Sequence, residues 1–159
     1  MSRDAAGPGP PPLRPFGLVL HHDGRFSHEG APITNRRLRE HFDRSVEYLP
    51  DAGKFIVRLK HFRAEVEVEE AAFFVRSLDL GSGQMSLSDG SCEILDVASL
   101  ATSTIDGTLL CRVKRALVAD GVLARFTHAA QSEFLQALEP EGDGYLVSIA
   151  GRREDCPEL

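Results

Sequence analysis

Glycine-bearing turns cut this chain into short segments, and that punctuation constrains its fold more than any single motif. Asp23-Gly24, Gly81-Ser82-Gly83, Asp89-Gly90 and Asp120-Gly121 each separate stretches rich in β-branched and aromatic residues or alternating between apolar and polar. A surface helix needs an apolar stripe sustained over roughly ten residues, whereas a strand needs only a few alternating positions. Most of the chain can therefore be only strand.

The spacing predicts a first strand over FGLVLHH (16–22), a type I′ turn at Asp23-Gly24 and a return strand in RFSHEG. Thr34 is the expected N-cap of a helix in NRRLREHFDRSV, where Leu38 and Phe42 share a face. GKFIVRLKHF (53–62) and RAEVEVEE (63–70) alternate, and AFFVRSLDL, QMSLS and SCEILDVA form a meander. TLLCRVK and VLARF are further strands, THAAQSEFLQAL (127–138) is a Thr-capped helix, and YLVSIAG is the last strand.

The expected architecture is one α+β domain over residues 16–151, an antiparallel β-meander carrying two short helices. Residues 1–15, MSRDAAGPGPPPLRP, form a disordered Pro/Gly-rich arm, and 152–159 a polar tail. The two ends look alike: each has an Asp-Gly turn, a Thr-capped helix carrying Phe42 or Phe134, a proline, and a Gly-led strand. Two related hairpin–helix–strand units would produce this pattern.

Composition bounds the function. The 159 residues are 42% hydrophobic and 26% charged, which suits a soluble globular protein. No apolar run approaches a membrane span, and the arm lacks the hydrophobic stretch of a secretory signal, so the expected location is the cytoplasm. A net charge of −6 excludes general grip on nucleic-acid phosphates. Cys92, Cys111 and Cys156 are scattered and read as free thiols, the first two in packing positions and the third exposed.

Three histidines in HHDGRFSH (21–28) are the most chemical-looking stretch. With a two-residue turn, His22 faces Arg25 and His21 faces Phe26, and His21 and His22 point to opposite faces. His21 and His28 are then the least unlikely metal ligands, two where a catalytic zinc site wants three, so no metal and no cofactor is expected. Glu65, Glu67 and Glu69 line one strand face opposite Lys54, Arg58 and Lys60, which makes a charge ladder rather than a catalytic dyad.

The basic residues make better candidates. Arg36, Arg37 and Arg39 crowd a helix start, where the dipole disfavours cations but free N–H groups favour an anion. Arg112, Lys114 and Arg115 form a second cluster. No P-loop, dinucleotide fingerprint, GxSxG, SxxK or HExxH occurs, and no catalytic residue is assigned.

The run D-G-R-F-S-H-E-G-A-P-I (Asp23 to Ile33) resembles the opening motif of a bacterial family known only as a domain of unknown function. V-E-V-E-E-A-A-F-F-V (Val66 to Val75) is similar to that family's V-E-D-A-P-F segment. C-R-V-K with L-A-R-F-T-H-A-A-Q-S-E-F-L resembles its Arg-bearing strand and final helix. The similarity covers most of residues 17 to 150 in matching order, with Phe26 in place of a tryptophan, Ala72 in place of a proline, His28 in place of an aromatic and R-L-K-H (58–61) in place of Thr-Pro-Val-Glu. It implies a bacterial α+β domain and no particular activity.

The leading expectation is a cytoplasmic binding or regulatory module, recognising a small anionic ligand or a protein partner. The alternatives are a hydrolase whose polar residues meet only in the fold, with His21, His28 or His61 as base, and a homodimeric scaffold pairing through an open sheet edge. A hydrolase needs a pocket with histidine beside carboxylate or serine; an anion-binding module needs converging arginines; a scaffold needs an apolar patch or unpaired edge.

Overall fold

The computed structural model describes residues 9–159, in two compact units, one ending at Glu69 and one running from Glu70 to Leu159. Residues 1–8, the start of the expected arm, lie outside the described residues. The fold class is α+β.

The first unit contains β1 (Leu13–Leu20), β2 (Phe26–His28), β3 (Ala31–Pro32), α1 (Arg36–Ser45), β4 (Glu47–Leu49), β5 (Lys54–Arg58) and β6 (Arg63–Val68). They form a sheet ordered β3-β2-β1-β6-β5-β4, antiparallel except for the central parallel pair β1/β6. A parallel pair needs a crossover rather than a hairpin, and α1 lies in that connection. Phe42 of α1 meets Phe26 of β2 with ring centroids 5.6 Å apart, over a core of Leu18, Leu20, Ile56, Val57 and Ala64.

The second unit repeats this plan. Strands β7 (Phe73–Leu78), β8 (Gln84–Leu87), β9 (Cys92–Ile94), β10 (Ala101–Thr102), β11 (Leu109–Val113) and β12 (Val122–Phe126) are ordered β10-β11-β12-β7-β8-β9, again with one central parallel pair, β12/β7. A single 3₁₀ turn at Val97–Ser99 stands where α1 stands in the first unit. Beyond β12 the chain adds α2 (His128–Leu135) and a three-stranded sheet, β13 (Leu138–Glu141), β14 (Gly144–Ile149) and β15 (Arg152–Asp155).

Two similar β units are therefore present, but they are cut differently from the sequence pairing. The topological counterpart of Asp23-Gly24 is the Gly81–Gly83 loop between β7 and β8, whereas Asp120-Gly121 closes the last hairpin of its sheet. Caps and turns use so few residue types that they matched across non-equivalent places.

Several local expectations need correction. β1 starts at Leu13, inside the expected arm, because Leu13–Pro15 pair with Arg63–Glu65 and the Arg63 N–H donates to the Pro12 carbonyl at 2.8 Å. Pro15, which has no N–H, sits at the edge of a bulge completed by Gly17, whose φ of +65° suits glycine. Arg152–Asp155, expected as a polar tail, pairs with β14, since a run of charged side chains suits an exposed edge strand. The α1 cap is Asn35, not Thr34; its side chain accepts from the Leu38 N–H at 3.0 Å. Thr127 caps α2 as expected, accepting from the Ala130 N–H at 3.3 Å.

The first hairpin carries the most consequential correction. Leu20 faces Phe26 and Val19 faces Ser27, with a loop closed by the His21 N–H donating to the Arg25 carbonyl at 2.8 Å. The expected register is off by one residue, and one residue flips every side chain to the other face.

Candidate functional site

The strongest site lies wholly in the second unit, where α2 and the three-stranded sheet extend the repeated plan. A cavity of about 710 Å³ opens between the start of β11, one face of α2, the β13–β14 turn and the segment after β15. Its apolar wall comes from Leu109, Phe134, Leu135, Leu138, Tyr145, Pro157 and Leu159. Of the large apolar side chains left exposed among the described residues, Leu135, Tyr145 and Leu159 all stand on this wall.

Local chemistry explains the shape. In α2, Ala130 and Phe134 lie four apart and are fully buried, while Leu135, one position on, is 54% exposed and turns toward the hollow. Phe134 is fixed edge-on to Phe126 of β12, with centroids 6.0 Å apart. The Leu109 N–H donates to Gln131 Oε1 at 3.1 Å, tying the start of β11 to the helix. The Cys156 N–H donates to the Tyr145 carbonyl at 2.9 Å, extending the β14–β15 ladder by one bond; Pro157 has no N–H to continue it.

Polar groups on the wall are few: Thr102, Gln131, Asp143 and Glu158, with the Cys156 thiol. Burial pushes that thiol up, which makes it a poorer nucleophile, and Cys156 is half-buried rather than exposed as expected. Cys92 is exposed, contrary to its expected packing role, and Cys111 is buried with its thiol pushed up to about 12, mainly by burial and then by Glu93 and Asp96.

Beside the cavity, a buried network fixes the loop that supplies Gly107. Arg125 of β12, 9% exposed in its side chain, donates to Glu70 at 2.9 Å, to Thr108 Oγ1 at 3.0 Å and to Asp106. Ser103 Oγ donates to the second Glu70 oxygen at 2.6 Å. The Arg125 guanidinium and then the Thr108 N–H hold the Asp106 carboxyl well below the usual carboxylate range.

The sequence-predicted basic residues fall elsewhere, and none lines the cavity. In the first unit, Arg36 pairs with Glu40 at 2.9 Å on the exposed surface of α1, while Arg37 and Arg39 make no ion pair with any described residue. In the second, Lys114 is spent internally: it meets Asp89 at 2.6 Å and Ser91 at 2.7 Å and lies 5.1 Å from the Phe73 ring centroid. Its N–H donates to both oxygens of Glu93, with the backbone held at φ +61°. Arg115 pairs with Asp96 at 2.8 Å, and Arg112 is exposed on β11.

The histidines separate as well. His28 stacks on Phe16 with centroids 4.3 Å apart, so its ring serves as a flat packing group. His21 Nε2 lies 2.9 Å from Ser27 Oγ and its Nδ1 lies 3.3 Å from Glu69 Oε2; His22 Nδ1 lies 2.8 Å from the other Glu69 oxygen. The His22 N–H, foremost, together with both rings, holds the Glu69 carboxyl below its usual range. Among the described residues no cluster of three metal-ligating side chains occurs. The observed register put Ser27 beside His21, and that is why the sequence pairing of His21 with His28 missed it.

No protein-family model matches the chain, and no curated protein matches it in sequence. Among solved structures it is similar to a DUF1285 family protein from Silicibacter pomeroyi DSS-3, at 15% identity and a TM-score of 0.63 over 95% of this chain and 88% of that one. It is also similar to a DUF1285 family protein from Shewanella baltica OS155, at 13% identity and a TM-score of 0.51 over 76% of this chain and 91% of that one. At these identities the likeness is one of fold, and the α+β fold of this chain is the one seen in those DUF1285 family structures.

Proposed function

We propose that this chain is a binding module that takes a small molecule with an apolar body into the cavity of its second unit. The observation that carries the reading is the coincidence of a hollow of about 710 Å³ with three exposed apolar side chains on one wall. Small-molecule sites have this size and lining, and clustered exposed apolar surface marks a place where something docks. The unpaired thiols of Cys92, Cys111 and Cys156 suit a reducing compartment, so the module works in the cytoplasm.

The test uses the uncharged dye N-phenyl-1-naphthylamine, whose fluorescence rises in apolar surroundings. The dye should bind saturably, and Tyr145→Ala and Leu135→Ser should each weaken it. Leu38→Ser, which removes an exposed leucine of the first unit, should leave binding unchanged. Equal loss in all three variants, or no saturable binding, defeats the reading.

A hydrolase is the second reading, and the Ser27–His21–Glu69 chain of contacts is the observation that favours it. Ser27 is only 8% exposed and Glu69 is shared with His22, both of which fit a structural pin better than a nucleophile. A fluorophosphonate probe decides: covalent labelling at Ser27, lost in His21→Ala, establishes the hydrolase, and absence of label on Ser27 leaves the pin.

A further inference from the structure

We propose that the ligand of this cavity is an organic cation, an amine or quaternary ammonium carried on an apolar body; this rests on the reading of the cavity as the binding site. The argument is charge complementarity at the mouth. Asp143, in the β13–β14 turn, and Glu158 both line the hollow, and neither pairs with any described residue. Among the described residues no lysine, arginine or histidine lies on the wall. Five other carboxylates of this unit do have a base beside them, Glu70 and Asp106 at Arg125, Asp89 at Lys114, Asp96 at Arg115 and Glu139 at Arg153, and the wall's two have none.

Asp143 and Glu158 are both exposed side chains on the lining of the hollow. A cation whose apolar body fills the hollow would leave its head at this rim. An anion placed there meets like charge and, among the described lining residues, no cationic side chain. Tyr145, 54% exposed beside Asp143, also offers a ring face, which attracts ammonium groups. The ligand chemistry is thus the opposite of the anion expected from the arginine clusters.

The experiment displaces bound N-phenyl-1-naphthylamine with three molecules of one shape, n-octylammonium, n-octanol and n-octanoate. Each solvated carboxylate should favour the cation about fivefold over the alcohol, and octanoate should be the weakest. Raising salt to about 0.5 M should compress the spread while leaving octanol unchanged. The Asp143→Asn/Glu158→Gln double variant should still bind the dye and octanol but lose the ammonium preference. Asp51→Asn/Asp120→Asn, with the same change in net charge at two residues outside the cavity lining, should keep it. Equal displacement by all three molecules, or a preference that survives in the first double variant, overturns the proposal while the cavity reading stands. Failure of the dye to bind removes the cavity reading and this proposal together.

Discussion

The two six-stranded sheets can be superposed strand for strand on paper, and the position just after the sixth strand is where they part. In the first unit the Glu69 N–H donates to the Leu20 carbonyl at 3.0 Å; in the second the Thr127 N–H donates to the Val75 carbonyl at 3.0 Å. These are one bond in two copies, since Val68 pairs with Leu20 as Phe126 pairs with Val75. At that point the first copy carries a glutamate that clamps His21 and His22. The second carries a threonine that starts α2, and with it the added sheet and the cavity. The shared plan thus serves as support, and the candidate function sits on what one copy adds to it.

The same alignment pairs Glu67 with Arg125, because Glu67 lies opposite Val19 and Arg125 opposite Phe74. Glu67 is exposed, whereas Arg125 is 7% exposed and holds Glu70, Asp106 and Thr108. In the first unit β1 alternates, with Leu18 and Leu20 buried and Val19 only half-buried. In the second, Phe73, Phe74 and Val75 are all buried, as a strand covered on both faces requires. α2 covers the Phe126 face and the loop tied to Arg125 covers the other.

This contrast predicts the largest mutational asymmetry. Arg125→Ala should cost about 3–5 kcal/mol in denaturant unfolding, because it leaves the Glu70 charge buried without its partner. Glu67→Ala, the equivalent change, should stay within about 0.5 kcal/mol. Similar effects at both positions would break the proposed difference in roles.

Next in size, Asp89→Ala should cost about 3 kcal/mol by stranding the Lys114 ammonium, whose side chain is 15% exposed. The pH dependence has a definite sign. Burial alone would raise the Asp89 carboxyl, but hydrogen bonds from Lys114 and Ser91 outweigh it and hold the group below its ordinary value. Its stabilisation is therefore present above the ordinary carboxylate pKa and lost as pH falls through the depressed folded value. Unfolding curves of Asp89→Asn should lose part of that acid limb relative to wild type.

Thr127→Ala should cost about 1 kcal/mol, the usual value of an N-cap side chain, and should loosen dye binding at the cavity as α2 frays. At the equivalent position Glu69→Ala should leave dye binding unchanged and speed hydrogen exchange at the His22 amide, which loses its acceptor. A dye-binding loss in Glu69→Ala would refute the assignment of the site to the added elements.

Much of this was legible in the chain. Turn residues and alternation located most strands, and Leu38 with Phe42 and Thr127 with Phe134 marked both helices. The errors share a cause. Composition predicts an unstructured arm and a polar tail, yet Leu13–Pro15 and Arg152–Asp155 gain strand partners that no local pattern announces. Arg112, Lys114 and Arg115 looked like one basic patch, but three-dimensional neighbours give Lys114 and Arg115 carboxylates and leave Arg112 in solvent.

By itself the sequence determined the α+β class, the two helices and the unpaired state of the cysteines, because alternation, caps and turns act over a few residues. Only the tertiary structure decided the register of the first hairpin, the parallel seam in each sheet and the cavity. Each of these depends on which distant segments meet, as Leu109, Phe134, Tyr145 and Leu159 do around one hollow. Such meetings follow from the free energy of the whole packed chain rather than from any local preference.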